Sequence, residues 1–307
     1  MTGTARVARR PSEIQVHDVA AKSALNRVRG MGFGWSLNPY TGCVHQCVFC
    51  YARSTHAYRE LDGVRDWGSR LTAKVNIVSL LRAELANPRS YRADHIAIGT
   101  STDPYQPIEG RYRLMRGILA ALRDARMDFH ITTRSPLIVR DLELLTQCAR
   151  RADVSVSFSL ATLDAAIARE IEPTVAPPRS RLRAVRTLAD AGIRVSVGIA
   201  PILPGITDAP ADVHALAQAA ADAGAYRTWH SALNLGAVTR DAYFEYLRER
   251  RPELIERYER MFSRGRFASR RDVDLIEGVA ARATSAVTFA PYRPLPRDES
   301  GMQPTLF

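Results

Sequence analysis

Residues 42–53 read GCVHQCVFCYAR and hold Cys43, Cys47 and Cys50, three of the four cysteines in a chain of 307 residues. Disulfide bonding does not account for them, because three clustered thiols are an odd number and a reducing compartment is expected. A structural thiol is usually a lone buried small hydrophobe, which is the role expected of Cys148 in LELLTQCAR. Metal ligation explains the cluster better. Thiolates are soft ligands, and a short loop can wrap them around one soft metal or an iron–sulfur cluster. His45 would complete a Cys3His zinc set, but it sits between two of the cysteines, closer than zinc ligand pairs usually lie. There is also no distant Cys-x2-Cys or His-x3-His pair in the chain. Three thiolates without an obvious fourth ligand point to a cluster with one iron left open, the kind of position that catalytic metals keep for substrate or cofactor.

Cys-x3-Cys-x2-Cys with Phe49 before the last cysteine resembles the signature of the radical S-adenosylmethionine (radical SAM) superfamily. The longer string NPYTGCVHQCVFCYAR, with TDPYQPIE further on, resembles the branch related to spore photoproduct lyase. The resemblance implies a [4Fe-4S] cluster on Cys43, Cys47 and Cys50, with S-adenosyl-L-methionine chelating the open iron through its amino and carboxylate groups. It implies cleavage of that cofactor to a 5′-deoxyadenosyl radical, which abstracts hydrogen from a substrate. A reductant such as flavodoxin or ferredoxin is implied as partner.

Outward from the cysteines, strand-like runs occur at GWSLNPY, HIAIGT, DFHITT, VSVSFSL, RVSVGIAP and YRTWHSAL. Helical patterns separate them. Leu114, Met115, Ile118, Leu119 and Leu122 share one face, as do Ile77, Val78, Leu80, Leu81 and Leu85 before Asn87-Pro88. Two further helices start at Pro178 and Pro210 and end at Gly192 and Gly224. Six strands alternating with helices predict an α/β fold with a parallel sheet and right-handed crossovers. This agrees with the partial (βα)6 TIM-like barrel that the resemblance implies. The expected organisation is an N-terminal extension (1–30), the core (31–236), a helical C-terminal extension (237–290) broken at Pro252, and a mobile tail (291–307).

In such a barrel the chemistry lies at the C-terminal ends of the strands, and the unusual residues fall there. Thr102 and Asp103 follow the second strand and suit the cofactor's ammonium group. Arg134 ends the third and suits its carboxylate. Ser159 on the fourth suits a ribose hydroxyl, and Phe49 and Tyr51 flank Cys50 where adenine would pack. Trp229 and His230 fall on the sixth strand near the mouth. Glu172-Pro173 resembles a recurrent family element without a role that the sequence explains. One departure stands out. The resemblance implies a cysteine hydrogen donor just before the second-strand loop motif, and Thr100 occupies that position. A threonine O–H bond is too strong for that role, so the lyase reaction is not expected.

The formal charge of +11 rests almost wholly on arginine, with only two lysines. It permits a nucleic-acid partner, and with the branch it points to DNA or a nucleotide as substrate. The alternative is a zinc-stabilised nucleic-acid-binding module without catalysis. The tail QPTLF resembles the motif that docks on the DNA sliding clamp, through Gln303, Leu306 and Phe307, with Pro304 where leucine is usual. The N-terminus has no apolar signal core and the chain no apolar run of membrane-spanning length, so a cytoplasmic location is expected.

Overall fold

The computed structural model describes residues 14–87 and 95–298. Ten strands occur in these residues: β1 (Gln15–Val19), β2 (Leu25–Arg27), β3 (Trp35–Leu37), β4 (Tyr40–Thr41), β5 (Arg70–Lys74), β6 (Ile96–Ile98), β7 (Phe129–Thr133), β8 (Val154–Ser159), β9 (Arg194–Ile202) and β10 (Arg227–Ala232). The α-helices are α1 (Ile77–Leu85), α2 (Glu109–Tyr112), α3 (Leu114–Asp124), α4 (Leu142–Ala149), α5 (Ala165–Ile171), α6 (Pro178–Asp190), α7 (Pro210–Asp222), α8 (Ala237–Arg250), α9 (Ile255–Met261) and α10 (Arg270–Thr284).

The six strand-like runs of the sequence form one sheet in the order β10-β9-β8-β7-β6-β3, with β2 added at the β3 edge. Every pairing from β3 to β10 is parallel, and only β2 runs antiparallel to its neighbour. Its two ends are not paired with each other, so the barrel is partial. A smaller sheet, not foreseen in the sequence, joins β1, β5 and β4.

The alternation within β8, VSVSFS, shows how the lumen is made. Val154, Val156 and Phe158 join the hydrophobic core. The intervening serines meet polar partners: Ser155 lies 2.9 Å from His130 Nδ1, and Ser157 Oγ accepts from Trp229 Nε1 at 2.9 Å. A period of two puts the aliphatic set against helices and the small polar set inside. Gly198, on the neighbouring β9, makes room for that indole, since a Cβ there would lie 2.4 Å from the Trp229 ring.

The chain from Ala237 is helical, with α8 ending at Arg250 and a short 3-10 turn at Pro252–Leu254 before α9. Among its ties to the barrel are contacts with α5 and α7. Glu170 on α5 accepts from Tyr246 and from both Nε and Nη2 of Arg251 at 2.6–2.9 Å. His214 on α7 lies 2.8 Å from the Ala283 carbonyl on α10. Further along, Leu295 sits against Gly192 and Arg151 pairs with Asp298 at 2.9 Å. Gln303, Leu306 and Phe307 lie outside the described residues. Among the described residues no helix is long and apolar enough to cross a membrane.

Candidate active site

The cysteine loop follows β3 and β4 at the C-terminal end of the sheet. It turns at Gly42, whose φ of +79° favours glycine; a Cβ there would also press on His56 at 2.9 Å. Nearly every turn of the loop is held from outside. Thr102 Oγ1 donates to the Gly42 carbonyl at 2.6 Å. Gln106 accepts from the Val44 N–H at 2.9 Å and donates to both Thr102 Oγ1 and the Gly42 carbonyl. Thr174 donates to the Val44 carbonyl. The Val48 N–H donates to the Ile171 carbonyl at 3.0 Å. Arg53, buried against Trp67, donates to the Cys47 carbonyl at 3.2 Å, and Thr239 of α8 donates to the Cys50 carbonyl at 3.1 Å.

The strings NPY and STDPYQPIE, which the sequence separates by about sixty residues, meet here. Asn38 donates to Thr100 Oγ1 at 3.1 Å and accepts from the Ser101 N–H at 2.8 Å. Tyr40 donates to Glu109, whose carboxylate also accepts the Leu114 and Met115 N–H groups at the start of α3 and pairs with Arg140 at 2.7 Å. Glu109 is fully buried.

Asp103 serves as a hub. Its Oδ1 accepts from the Tyr105 N–H and the Thr133 hydroxyl at 2.9 and 2.7 Å. Its Oδ2 accepts from the Arg134 N–H at 2.7 Å and lies 3.3 Å from His45 Nδ1. Burial would raise the Asp103 carboxyl, yet His45 and these hydrogen bonds hold it below the usual range. Burial likewise opposes a charged His45 ring, but Cys43 and Asp103 outweigh it and lift the ring to about 10.

Arg134, half-buried beyond the end of β7, holds its guanidinium 5.5 Å from the Phe49 ring centroid. Its Nε donates to Glu172 at 2.9 Å. The other Glu172 oxygen accepts from Arg181 Nη2 at 2.6 Å, and Arg181 Nη1 donates to the Ser159 carbonyl at 2.9 Å. Glu172 thus acquires a role that its sequence position did not reveal: it orients Arg134 and fixes the end of β8. Gln106, Arg53, Arg181, Thr174 and Thr239 were also missed. Only Arg53 and Gln106 carried a signal, as members of the quoted strings.

Cys43, Cys47, Phe49, Cys50, Tyr51, Thr102, Asp103, Arg134 and Ser159 all line one cavity of about 750 Å³. The structure therefore brings together these nine residues selected from the sequence, whereas His230 does not line this cavity. Tyr51 stands at the rim, 59 % exposed, and donates to the Thr100 carbonyl. Trp229 lines the same cavity. A more open hollow of about 1000 Å³ lies at the loops entering β8 and β9, where Arg151 and Asp298 pair.

The donor set fits an iron–sulfur cluster. All three thiols are free, Cys43 and Cys47 are buried, and Cys50 is half-buried. Burial pushes the Cys47 thiol well up and the Cys50 thiol up, with Arg134 opposing in both; coordination removes the proton that burial retains. Among the described residues no three His, Cys, Asp or Glu side chains converge to hold a single ion. A cluster instead takes its thiolates on separate irons. The cavity volume is in the range of small-molecule sites and can take a nucleoside-sized cofactor beside the cysteines.

A partial parallel barrel with three loop cysteines over its mouth defines a class, and comparison with known proteins identifies the same one. Residues 37–217 match the Radical SAM superfamily, and the chain belongs to it. Its members use a [4Fe-4S] cluster and S-adenosylmethionine, and these are the cofactors of this protein. The chain is 36% identical over 303 residues to the uncharacterized protein Rv2578c of Mycobacterium tuberculosis (strain ATCC 25618 / H37Rv), covering 96% of this chain and 88% of that one. It is 28% identical over 197 residues to the uncharacterized protein MJ0683 of Methanocaldococcus jannaschii, covering 64% of this chain and 71% of the other. In fold it is similar to spore photoproduct lyase complexed with dinucleoside spore photoproduct, with a TM-score of 0.69, 15% identity, and 92% and 82% of the two chains covered. A variant of that enzyme with bound AdoMet matches at a TM-score of 0.68, with the same identity and coverage.

Proposed function

We propose that this protein is a radical enzyme whose substrate enters the cavity beside the cysteine loop, and that the substrate is nucleic acid or a nucleotide. The observation that supports this most is the cysteine loop itself, three free thiols on a loop whose backbone is held by the segment after β6, by Thr174 between α5 and α6 and by Thr239 of α8, and which faces a cavity of cofactor size. When bound, the cluster and S-adenosylmethionine supply reductive cleavage of the cofactor to a 5′-deoxyadenosyl radical, which takes a hydrogen atom from the substrate. The chain's residues position and shield. Arg134, steadied by Glu172 and Phe49, offers a fixed cation to the cofactor's carboxylate. Thr102 and Asp103 would hold the ammonium group, while their own hydrogen bonds tie them to the cysteine loop, Thr133 and Arg134. Ser159, at the end of β8, would hydrogen-bond the ribose, and Phe49 and Tyr51, which line the same cavity, would pack on the adenine. A flavodoxin or ferredoxin supplies the electron.

The route of a lyase that quenches through a thiol before the second-strand motif does not fit these residues. Thr100 stands there, and its hydroxyl accepts from Asn38. Cys148, the remaining thiol, is buried in α4 with its Sγ 3.4 Å from the Leu119 carbonyl. The test is anaerobic reconstitution with iron and sulfide, reduction with dithionite and a search for 5′-deoxyadenosine. About four irons per chain and formation of that product are expected. A colourless protein with one tightly held zinc would establish the alternative, a zinc-stabilised nucleic-acid-binding module.

A further inference from the structure

Residues 263–271, SRGRFASRR, run from the end of α9 into the first turn of α10 and carry Arg264, Arg266, Arg270 and Arg271 within four residues of Phe267. All four arginines are exposed. Neighbouring arginines find carboxylates, Arg251 with Glu170 and Arg257 with Asp208, but among the described residues these four have none. Asp272, the acid next in sequence, is engaged by the Ser269 hydroxyl at 2.6 Å. Phe267 is 56 % exposed, with the Arg266 guanidinium 4.7 Å from its ring centroid.

The loop is fixed at the cavity. The Leu235 N–H donates to the Arg266 carbonyl at 2.8 Å, and Phe267 forms an antiparallel bridge with Asn234, a residue of the cavity wall. Two of the other exposed large hydrophobic residues, Met31 at 65 % and Tyr51 at 59 %, stand at the same mouth. Exposed apolar side chains scattered singly need no explanation, but a group around one opening does.

We infer that the 264–271 loop is the docking lip for an unpaired nucleic-acid strand, with the arginines on phosphates, Phe267 stacked on a base and the adjoining nucleotide presented to the cavity. Arginines without carboxylate partners supply the charge complementarity, and an exposed ring supplies a platform for a base face. A duplex hides that face in its stack, and a nucleotide reaching a barrel mouth must leave the stack in any case. The inference rests on the proposed nucleic-acid substrate and adds where and in what form it binds.

Fluorescence anisotropy of the cluster-loaded full chain with a labelled oligothymidylate, against a matched duplex and over a range of salt, tests it. The single strand is expected to bind more tightly than the duplex. Arg264→Ala with Arg266→Ala should flatten the slope of log K against log salt by about 1.4, two contacts at about 0.7 each. Phe267→Ala should weaken binding by about five- to 150-fold with the slope unchanged, and Phe267→Trp should restore it. Phe267 is held through its backbone, so its exposed side chain can be changed without disturbing the bridge. Arginine variants that keep the parent's affinity and slope overturn the inference, as does a Phe267→Ala chain that binds like the parent; the loop then serves another partner, such as an acidic electron donor. Formation of 5′-deoxyadenosine by the unaltered holoprotein is measured separately. Its success alongside failed strand binding refutes the lip alone, and its failure refutes the radical site.

Discussion

Replacing Glu172 with glutamine removes one negative charge from between two arginines. Glu172 and Arg181 are 2.6 Å apart and each side chain is only 1 % exposed, whereas Arg134 is 21 % exposed. The cost therefore comes mainly from Arg181, which stays buried without its counter-charge. Removing one partner of a buried pair destabilises by about 3–5 kcal/mol. At about 2–4 °C per kcal/mol, the thermal midpoint falls by about 6–20 °C. Acid dependence adds an independent check. Burial would raise the Glu172 carboxyl, but Arg181 and then Arg134 outweigh it and hold it below the usual range. A depressed carboxylate stabilises the fold above its unfolded pKa of about 4.3, and the contribution is lost as pH falls through the lower folded value. The parent should therefore lose stability in that acid window, and Glu172→Gln should lack that part of the decline. Thermal melts followed by circular dichroism measure the first effect, and urea melts from pH 7 to pH 3 measure the second. Glu172→Gln with Arg181→Met should recover much of the loss, since replacing both members of a buried pair is often neutral. A single variant within about 2 °C of the parent, less than 1 kcal/mol, or strictly additive losses in the double variant, would refute the role given to this pair.

Four further outcomes are expected. Alanine at Cys43, Cys47 or Cys50 should abolish iron binding and visible absorbance, while Cys148→Ala should leave both intact; equal loss in all four would make Cys148 a ligand. Arg134→Met and Ser159→Ala should weaken S-adenosylmethionine binding, measured calorimetrically, at unchanged iron content, with a cost of about 1–3 kcal/mol that is larger for the charged contact. Gln106→Leu strands the Val44 N–H in a buried setting and should cost about 1–3 kcal/mol in a denaturant melt, with faster loss of iron to a chelator. Thr239→Val removes the hydroxyl bond to the Cys50 carbonyl and should speed the same loss, and chelation at the parent's rate would remove α8 from the account of the site.

The barrel was legible because its strands are short apolar runs set between helices with proline at the start and glycine at the end, as in α6 and α7. The β1–β5–β4 sheet was not. QVHDV of β1 alternates no apolar face, its residues are mostly exposed, and its partner lies some fifty residues on. The cysteines and the strand-end residues could be read because their chemistry is local and their residue types unusual. What fixes them could not. Glu172 stood out without a role and Arg181 is one arginine among dozens, and only folding places them beside Arg134. Asp103 was chosen as a ligand for the cofactor's ammonium, and the structure adds that both of its oxygens already hold neighbouring groups.

Of the groups that tie down the cysteine loop, Thr239 is the last to leave the ribosome. Until α8 is made, the nascent chain carries all three thiols without the tie on the Cys50 carbonyl. The loop thus completes its shape only after the whole barrel has been translated. A product terminated before α8 would carry its three thiols on a loop that lacks this tie, and is expected to lose iron to a chelator faster than the full chain.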